Sequence, residues 1–210
     1  MVKKYLTLFL ALILAALGIS LTMKAAVGVS AFDAVTQTLS LASGIRVGDM
    51  LMIIYVLFIA FQLVLLKKEA DWTILLQLPL TIILGQFINL FFYDLLGNLS
   101  IDFYFLNVLL FLFAQVLVTF SIAMILLVDL ISMPIERFSL LLAERKGYSF
   151  GRVRQSFDLL FLLISISLTL VLKLPFTIRE GTIVSALIFG PMMAFFLNKL
   201  EKPFKEFDLI

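Results

Sequence analysis

The chain alternates long apolar runs with short polar breaks, and six of the runs approach the length needed to cross a bilayer. A helix needs about 20 mostly apolar residues to span the hydrocarbon core. The six segments are Tyr5–Met23, Met50–Leu66, Trp72–Tyr93, Phe103–Val128, Gln155–Leu172 and Gly181–Asn198. Two further stretches, Ser30–Ser43 and Met133–Lys146, have helical composition but are too short and too polar to span. The pattern predicts an all-α membrane protein with six transmembrane helices and two short re-entrant or interfacial helices.

Composition agrees with this class and excludes several others. Hydrophobic residues make up 63% of the chain and charged residues 14%, whereas soluble domains carry about 25% charged residues. We interpret the apolar N-terminal segment as an uncleaved first helix rather than a signal peptide, because the rest of the chain is equally apolar. The chain has no His and no Cys, which form most zinc sites, disulfides and thiolate nucleophiles. We therefore expect no enzymatic activity and no metal or other cofactor. The net charge of only +2 gives no reason to expect a nucleic-acid partner.

The distribution of Lys and Arg predicts the orientation in the membrane, because cytoplasmic loops carry an excess of these residues. With the N-terminus in the cytoplasm, the inside segments hold 12 basic residues and the outside segments hold 4. The loop 94–102 lies outside and has no basic residue. Both termini are therefore predicted to lie in the cytoplasm, and the basic C-terminal tail, residues 199–210, is expected to rest on the anionic inner leaflet.

The two short helices indicate an internal duplication. An offset of 103 residues aligns three pairs: Gly44 with Gly147, Gly48 with Gly151, and Asp33 with Glu136. Further along, "WTIL" aligns with "GTIV" after a small shift, so that Thr73 matches Thr182. Residues 1–98 and 99–210 thus form two repeats, each with a first helix, a short helix and two more helices. Three crossings per repeat is an odd number, so the second repeat must be inverted, as in many secondary transporters.

The first turns of both short helices carry an acid that has two interpretations. Ser30 and Asp33 have the spacing of a capping box, and an acid such as Glu136 complements the dipole at a helix start. Both acids can therefore be caps only. Alternatively, the two helix starts meet in one central cavity, where ionisable groups are costly and usually functional. In that case Ser30, Asp33 and Glu136 bind the substrate.

The third helix carries a polar stripe at every fourth position, formed by Gln77, Thr81, Gly85 and Asn89. Pro79 interrupts this helix, and Gly190-Pro191 interrupts the last one. Such interruptions in corresponding helices point to a binding site, so Gln77, Thr81 and Asn89 are substrate-binding candidates. Ordinary hydrogen bonding between helices is the alternative.

Two features of other helices also have competing interpretations. Arg154 and Asp158 are four residues apart and share a helix face. They form either a neutralising pair or a gating or proton-coupling site. Small residues on the first helix, at positions 11, 15, 18 and 22, predict close packing inside the bundle, with a partner-docking face as the alternative.

The segments around the short helices resemble a family of bacterial integral membrane proteins. "GISLTMKAAVGVSAFDAVTQTLS" is similar to the signature of the YitT/YczE-type proteins, in which a K-A-x-x-G-x-S/G-P-x-D turn leads into a short helix. "SMPIERFSLLLAERKGYSFGRVRQSFDLL" resembles the second copy of the same unit. Ala31 stands where the first copy usually has Pro, and Glu136 where the second usually has Asp. The resemblance implies a bacterial plasma-membrane protein with a duplicated structure and a transport role.

Three functions remain open at this point. The first is a small secondary transporter or exporter of a small polar or charged organic solute. The second is the substrate-binding membrane subunit of an energy-coupling transporter, and the third is a membrane scaffold or assembly factor that moves nothing. The lipid bilayer and a small solute are the expected partners, and a homo-oligomer is compatible with each reading.

The predicted orientation has a direct test, because the chain has no native Cys. A single Cys at Asn98 is expected to react with a membrane-impermeant maleimide added to intact cells. A Cys in place of Lys68 should react only after the cells are opened. Labelling of the Asn98 position from the cytoplasmic side alone would contradict the predicted topology.

Overall fold

The computed structural model describes residues 1–207, apart from the side chain of Lys68, and this part of the chain is helical without a β-strand. Six helices are long and apolar enough to cross a membrane. They are α1 (Val2–Ala25), α3 (Val47–Leu66), α4 (Gln77–Asn89 with its terminal turns), α5 (Tyr104–Val128), α7 (Phe150–Leu172) and α8 (Glu180–Glu206). The short helices are α2 (Ala31–Ser43) and α6 (Pro134–Lys146). The all-α architecture with six long apolar helices is therefore confirmed.

Helix α4 is built from three kinds of turn. A 3₁₀ segment, Trp72–Leu76, precedes the α-helical part, and a π segment, Leu90–Leu95, follows it. Pro79 lies in the first turn of the α-helical part, where a missing backbone N–H is tolerated. The proline therefore stands where the winding changes from 3₁₀ to α, and does not break the middle of the helix.

The last helix continues beyond its predicted end at Asn198. Helix α8 runs to Glu206 and contains both Pro191 and Pro203. The predicted basic tail, residues 199–210, is thus helical through Glu206, and residues 208–210 lie outside the described residues. Phe204 is buried against the main core. Burial of this aromatic ring gives the end of the chain a protein contact in addition to the expected lipid surface.

The small residues of α1 pack inside the bundle, as the sequence predicts. Ala11, Ala15, Gly18 and Thr22 are all buried. A Cβ atom on Gly18 would lie 2.7 Å from Cγ2 of Val118 on α5. The absence of a side chain at this position therefore lets the first helix of one half approach the first helix of the other.

The packing of the helices follows the proposed duplication in most places. Helix α1 packs on α4 as α5 packs on α8, and α2 packs on α7 as α6 packs on α3. Phe58 and Phe161, which the 103-residue offset equates, contact each other with ring centroids 6.1 Å apart. Helices α3 and α4 pack closely, whereas their counterparts α7 and α8 barely touch. The inverted orientation of the two repeats stays a prediction.

The glycines of the two repeats give a matched test of the α3–α4 contact. A Cβ on Gly48 would lie 2.0 Å from the Gly85 carbonyl oxygen, whereas a Cβ on its counterpart Gly151 meets nothing within 4 Å. We expect Gly48→Ala to lower stability by about 1–3 kcal/mol through overpacking. Gly151→Ala should be neutral or stabilising by up to about 1 kcal/mol, since Ala has the higher helix propensity. Thermal unfolding in detergent measures both, and equal effects would contradict the packing described.

Candidate functional site

The start of α2 is fixed by a serine cap that also binds the neighbouring acid. Ser30 has extended backbone angles, and its Oγ accepts the Asp33 backbone N–H at 3.1 Å. The Ser30 hydroxyl in turn donates to Oδ2 of Asp33 at 2.7 Å. The predicted capping box is thus only half right, because the Asp33 carboxylate takes the serine hydroxyl as its donor rather than a backbone N–H. Asp33 is a buried side chain, with 7% of its surface exposed.

The start of α6 uses different chemistry for the same purpose. Pro134 is the first helical residue, where a missing N–H has no cost. Oε1 of Glu136 lies 3.8 Å from Nε of Arg154 on α7. Within the described part of the chain, the buried Oε2 of Glu136 has no hydrogen-bond partner. Glu136 therefore faces a guanidinium of another helix, which a purely local helix cap does not require.

Arg154 links the two predicted pairs of site residues. It forms a salt bridge with Asp158 one turn along α7 and lies beside Glu136 of α6. The i,i+4 ion pair expected from the sequence is therefore present, and it extends to a third residue. Charged groups within a membrane bundle are usually paired in this way.

Five side chains from four helices form what we call the central charge cluster: Asp33, Tyr55, Glu136, Arg154 and Asp158. Asp33 lies within electrostatic range of Arg154, Asp158 and Glu136, and Tyr55 within range of Asp33, Glu136 and Arg154. The acids at the starts of the two short helices thus lie within electrostatic range of each other, and Arg154 of α7 lies beside Glu136. Arg154 pairs with Glu136 and Asp158, while Asp33 accepts the Ser30 hydroxyl, so three carboxylates stand against one guanidinium.

Tyr55 was missed by the sequence analysis, although the duplication carries a signal for it. The 103-residue offset that equates the two acids also equates Tyr55 on α3 with Asp158 on α7. The same offset equates Arg154 with the buried Leu51. The two repeats therefore contribute different chemistry at matching positions, and a search for shared residues does not find it.

Aromatic rings surround one side of the cluster. The Phe32 ring stacks on Tyr55 with centroids 5.0 Å apart and meets the edge of Phe161 at 5.5 Å. Phe58 contacts Phe157 at 5.7 Å and Phe138 at 5.6 Å. An apolar wall excludes water and strengthens nearby electrostatic interactions. Ring faces also attract organic cations.

The polar residues of α4 do not line a common binding surface, because Gln77 and Asn89 make separate contacts with helix α3. Gln77 exchanges two hydrogen bonds with Gln62 of α3, of 3.0 and 3.1 Å. Asn89, at the other end, accepts the Gly48 backbone N–H at 2.9 Å and donates to Asp49 at 2.7 Å. Thr81 lies between these two residues on the stripe, and its buried Oγ1 has no hydrogen-bond partner among the described residues. Gln77 and Asn89 thus join α4 to α3, which is the alternative that the sequence left open.

Gln62, a second residue that the sequence analysis missed, connects this stripe to the short helix α6. Its Nε2 donates to the Pro134 carbonyl oxygen at 3.1 Å. The equivalent residue of the other repeat, Ser165, lies 3.4 Å from the Ala34 carbonyl oxygen of α2. Each short helix is therefore held near its start by the opposite repeat.

Two cavities lie near the predicted site residues without including the acids. A cavity of about 180 Å³ is lined by Thr73, Ile74, Gln77, Asp129, Leu130, Ile131, Ser132 and Arg137. A groove of about 470 Å³ is lined by Phe9, Arg46, Ile82, Ile83, Gln86, Phe87, Asn89, Leu90 and Asp94. Neither lining contains Asp33 or Glu136. Neither cavity is therefore the predicted central one, and a cavity shared by the two acids stays a prediction.

The fold and the buried charges define an integral membrane protein of six long helices and two short ones. The chain belongs to the family described as "Family of unknown function (DUF6198)", whose model matches residues 2–198. It is 26% identical over 201 residues to the "Uncharacterized protein YyaS" of Bacillus subtilis (strain 168), covering 96% of each chain. No solved structure matches. The similarity extends over almost the whole chain and thus includes both repeats.

The role of Arg154 as a shared counter-ion has a measurable consequence. We expect Arg154→Met to destabilise the protein by about 1–3 kcal/mol, because it leaves the largely buried Glu136 without its counter-ion, while Asp158, whose side chain is 37% exposed, is partly screened by solvent. Adding Glu136→Gln and Asp158→Asn should restore most of that loss, since the neutral set has no unpaired charge. Thermal unfolding measures both effects, with Arg152→Met, at an exposed position, as the control. A triple variant no more stable than Arg154→Met would contradict this role.

Proposed function

We propose that the protein is a small secondary transporter that moves a small polar or charged organic solute across the bacterial plasma membrane. The observation that carries the proposal is the central charge cluster, which brings the acids at the starts of α2 and α6 within electrostatic range of one arginine. Charged side chains inside a membrane bundle are expensive and commonly mark a solute or ion pathway. Helix ends that meet at the interface between repeats are a recurring form of transporter binding site.

The charge balance favours a solute with a cationic group. Three carboxylates face one guanidinium, so a bound cation or a proton would relieve the excess of negative groups. The helix N-termini act in the opposite direction, since their free N–H groups attract anions. Asp33 already binds the serine cap of its own helix, which leaves less of that attraction for a ligand. A zwitterionic or cationic solute therefore fits the site best, and the stacked pair of Phe32 and Tyr55 borders the acids on one side.

Two other functions compete with this one. A substrate-binding subunit of an energy-coupling transporter fits six helices and the small size, but such a subunit has no need for two equivalent halves. A membrane scaffold also fits the helices, yet it has no need for an excess of buried acids. The YitT/YczE resemblance, the plasma-membrane location and the cytoplasmic termini accord with the transporter proposal and stay predictions.

Conservative variants of the two acids distinguish a binding role from helix capping. We screen purified protein for thermal stabilisation by panels of amines, quaternary ammonium compounds, amino acids and carboxylates. A ligand at 100 times its Kd stabilises by about 2.7 kcal/mol. We expect hits among the cationic and zwitterionic compounds, and expect Asp33→Asn and Glu136→Gln to abolish them while the unliganded proteins stay folded.

Two control variants, Asp33→Ala and Glu144→Gln, separate a binding role of the acids from a structural one. Asn at position 33 keeps an oxygen that can accept the Ser30 hydroxyl, whereas Asp33→Ala removes this acceptor and should cost about 1 kcal/mol of stability in addition. Glu144→Gln alters an acid at an exposed position of α6 and should keep wild-type binding. Hits that survive both Asp33→Asn and Glu136→Gln would limit the two acids to a structural role at the helix starts. Co-purification of an ATPase would favour the energy-coupling subunit.

A further inference from the structure

We propose that this structure is the cytoplasm-facing state of a two-state protein, and that the opposite state forms by exchanging matched contacts between the two repeats. The inference deepens the proposed transport function and rests on it. It is based on two pairs of contacts that the duplication equates. In each pair, the contact at the predicted outer end is made and its counterpart at the predicted cytoplasmic end is open.

The first contact closes the outer end between the α1–α2 loop and the start of α8. The Gly181 backbone N–H donates to the Val27 carbonyl at 3.0 Å, and the Val29 N–H donates to Oγ1 of Thr182 at 3.3 Å. A Cβ on Gly28, whose φ is +144°, would lie 2.5 Å from the Thr182 backbone nitrogen. Glycine is needed here because only it accepts both this backbone angle and this close approach.

The counterpart of this contact at the cytoplasmic end is open. The 103-residue offset equates Val29 with Ser132, and the "WTIL"/"GTIV" alignment equates Thr182 with Thr73. Ser132 and Thr73 both line the cavity of about 180 Å³. Gln77, in the same lining, is joined through Gln62 to the start of α6. The cavity thus leads from the cytoplasmic end toward the helix that carries Glu136.

The second contact joins the last two helices of the first repeat. Gly48 and Gly85 allow α3 and α4 to touch, and Asn89 accepts the Gly48 N–H. The alignment that equates Thr73 with Thr182 also equates Asn89 with Asn198. In the second repeat, a Cβ on Gly151 meets nothing within 4 Å, and Asn198 is exposed.

These differences share one direction. The contacts that are made lie at the end of the bundle predicted to face outward, and the open ones lie at the cytoplasmic end. In the opposite state, Thr73 would meet Ser132 and Asn198 would meet Gly151, while the outer contacts separate. The exchanged hydrogen bonds are of similar kind, so the two states differ little in free energy. Ala194 stands where the first repeat has Gly85, so the α7–α8 contact is bulkier, which favours the state described.

Cysteine pairs test the exchange directly, because the chain has no Cys. One variant carries Thr73→Cys and Ser132→Cys, and a second carries Val29→Cys and Thr182→Cys. Disulfide formation with copper phenanthroline in native membranes is the readout. The outer pair should close quickly and the cytoplasmic pair slowly, because the latter closes only in the minor state. In a four-Cys protein, mass spectrometry should find one disulfide or the other, not both.

Two glycine variants should shift the equilibrium in opposite directions. Gly48→Ala crowds the outer contact, so it should speed closure of the cytoplasmic pair about tenfold, the effect of roughly 1.4 kcal/mol. Gly151→Leu blocks the α7–α8 contact and should slow the same closure at least as much. If Gly48→Ala folds poorly, Asn89→Leu removes the same contact without added crowding at the glycine.

Several outcomes would overturn the inference. The first is the formation of both disulfides in the same molecule. The second is no closure of the cytoplasmic pair even with Gly48→Ala or Asn89→Leu, and the third is an unchanged rate of that closure with Gly151→Leu. The readout needs no solute, so it is separate from the binding test. Exclusive disulfides without any bound solute would retain the two states and reject the transporter. Solute binding at the acids without exclusive disulfides would support the transporter proposal and reject the exchange of contacts between two states.

Discussion

Each short helix begins inside the bundle, where the backbone polar groups of its first turn need hydrogen-bond partners. This requirement determines which side chains lie around the two helix starts. In an apolar environment an unsatisfied backbone group costs several kcal/mol. Ser30 supplies the cap of α2 and Pro134 removes one donor from α6. Ser165 and Gln62 reach the carbonyls of the opposite short helix. The two repeats are therefore joined by polar contacts at their centre as well as by apolar packing at α1 and α5.

The same constraint explains why the charged groups lie together. A carboxylate in a low-dielectric interior needs a counter-ion or donors, and Arg154 lies beside both Glu136 and Asp158. This arrangement leaves Asp33 with a hydroxyl donor rather than a guanidinium. The charge balance of the site is thus uneven between the repeats, because Leu51 stands where a second arginine would be. That uneven balance is the basis for proposing a cationic or zwitterionic solute.

Much of the fold followed from the sequence, while only part of the site did. The starts of the short helices were predicted to within one residue, because Ser30 and Pro134 are strong local signals for helix N-termini. The duplication predicted that Asp33 and Glu136 lie near each other, and they are within electrostatic range. The role of the α4 stripe was not predicted, since its period identifies a polar face but not the partner of that face. Gln77 pairs with Gln62 and Asn89 with the Gly48 backbone, and both partners lie on α3.

The sequence by itself determined the six spans and the two short helices, and it predicted two equivalent repeats. These features depend on local hydropathy and on turn chemistry, which each segment carries independently of its neighbours. Only the tertiary structure decided that Tyr55 lies near the acids and that Arg154 of α7 reaches Glu136 of α6. It also decided that α3 and α4 pack together, whereas α7 and α8 barely touch. Those choices depend on side-chain volumes and hydrogen bonds between distant segments. The two proposed repeats carry different side chains at matched positions, such as Leu51 against Arg154 and Gly85 against Ala194, and their helices pack differently.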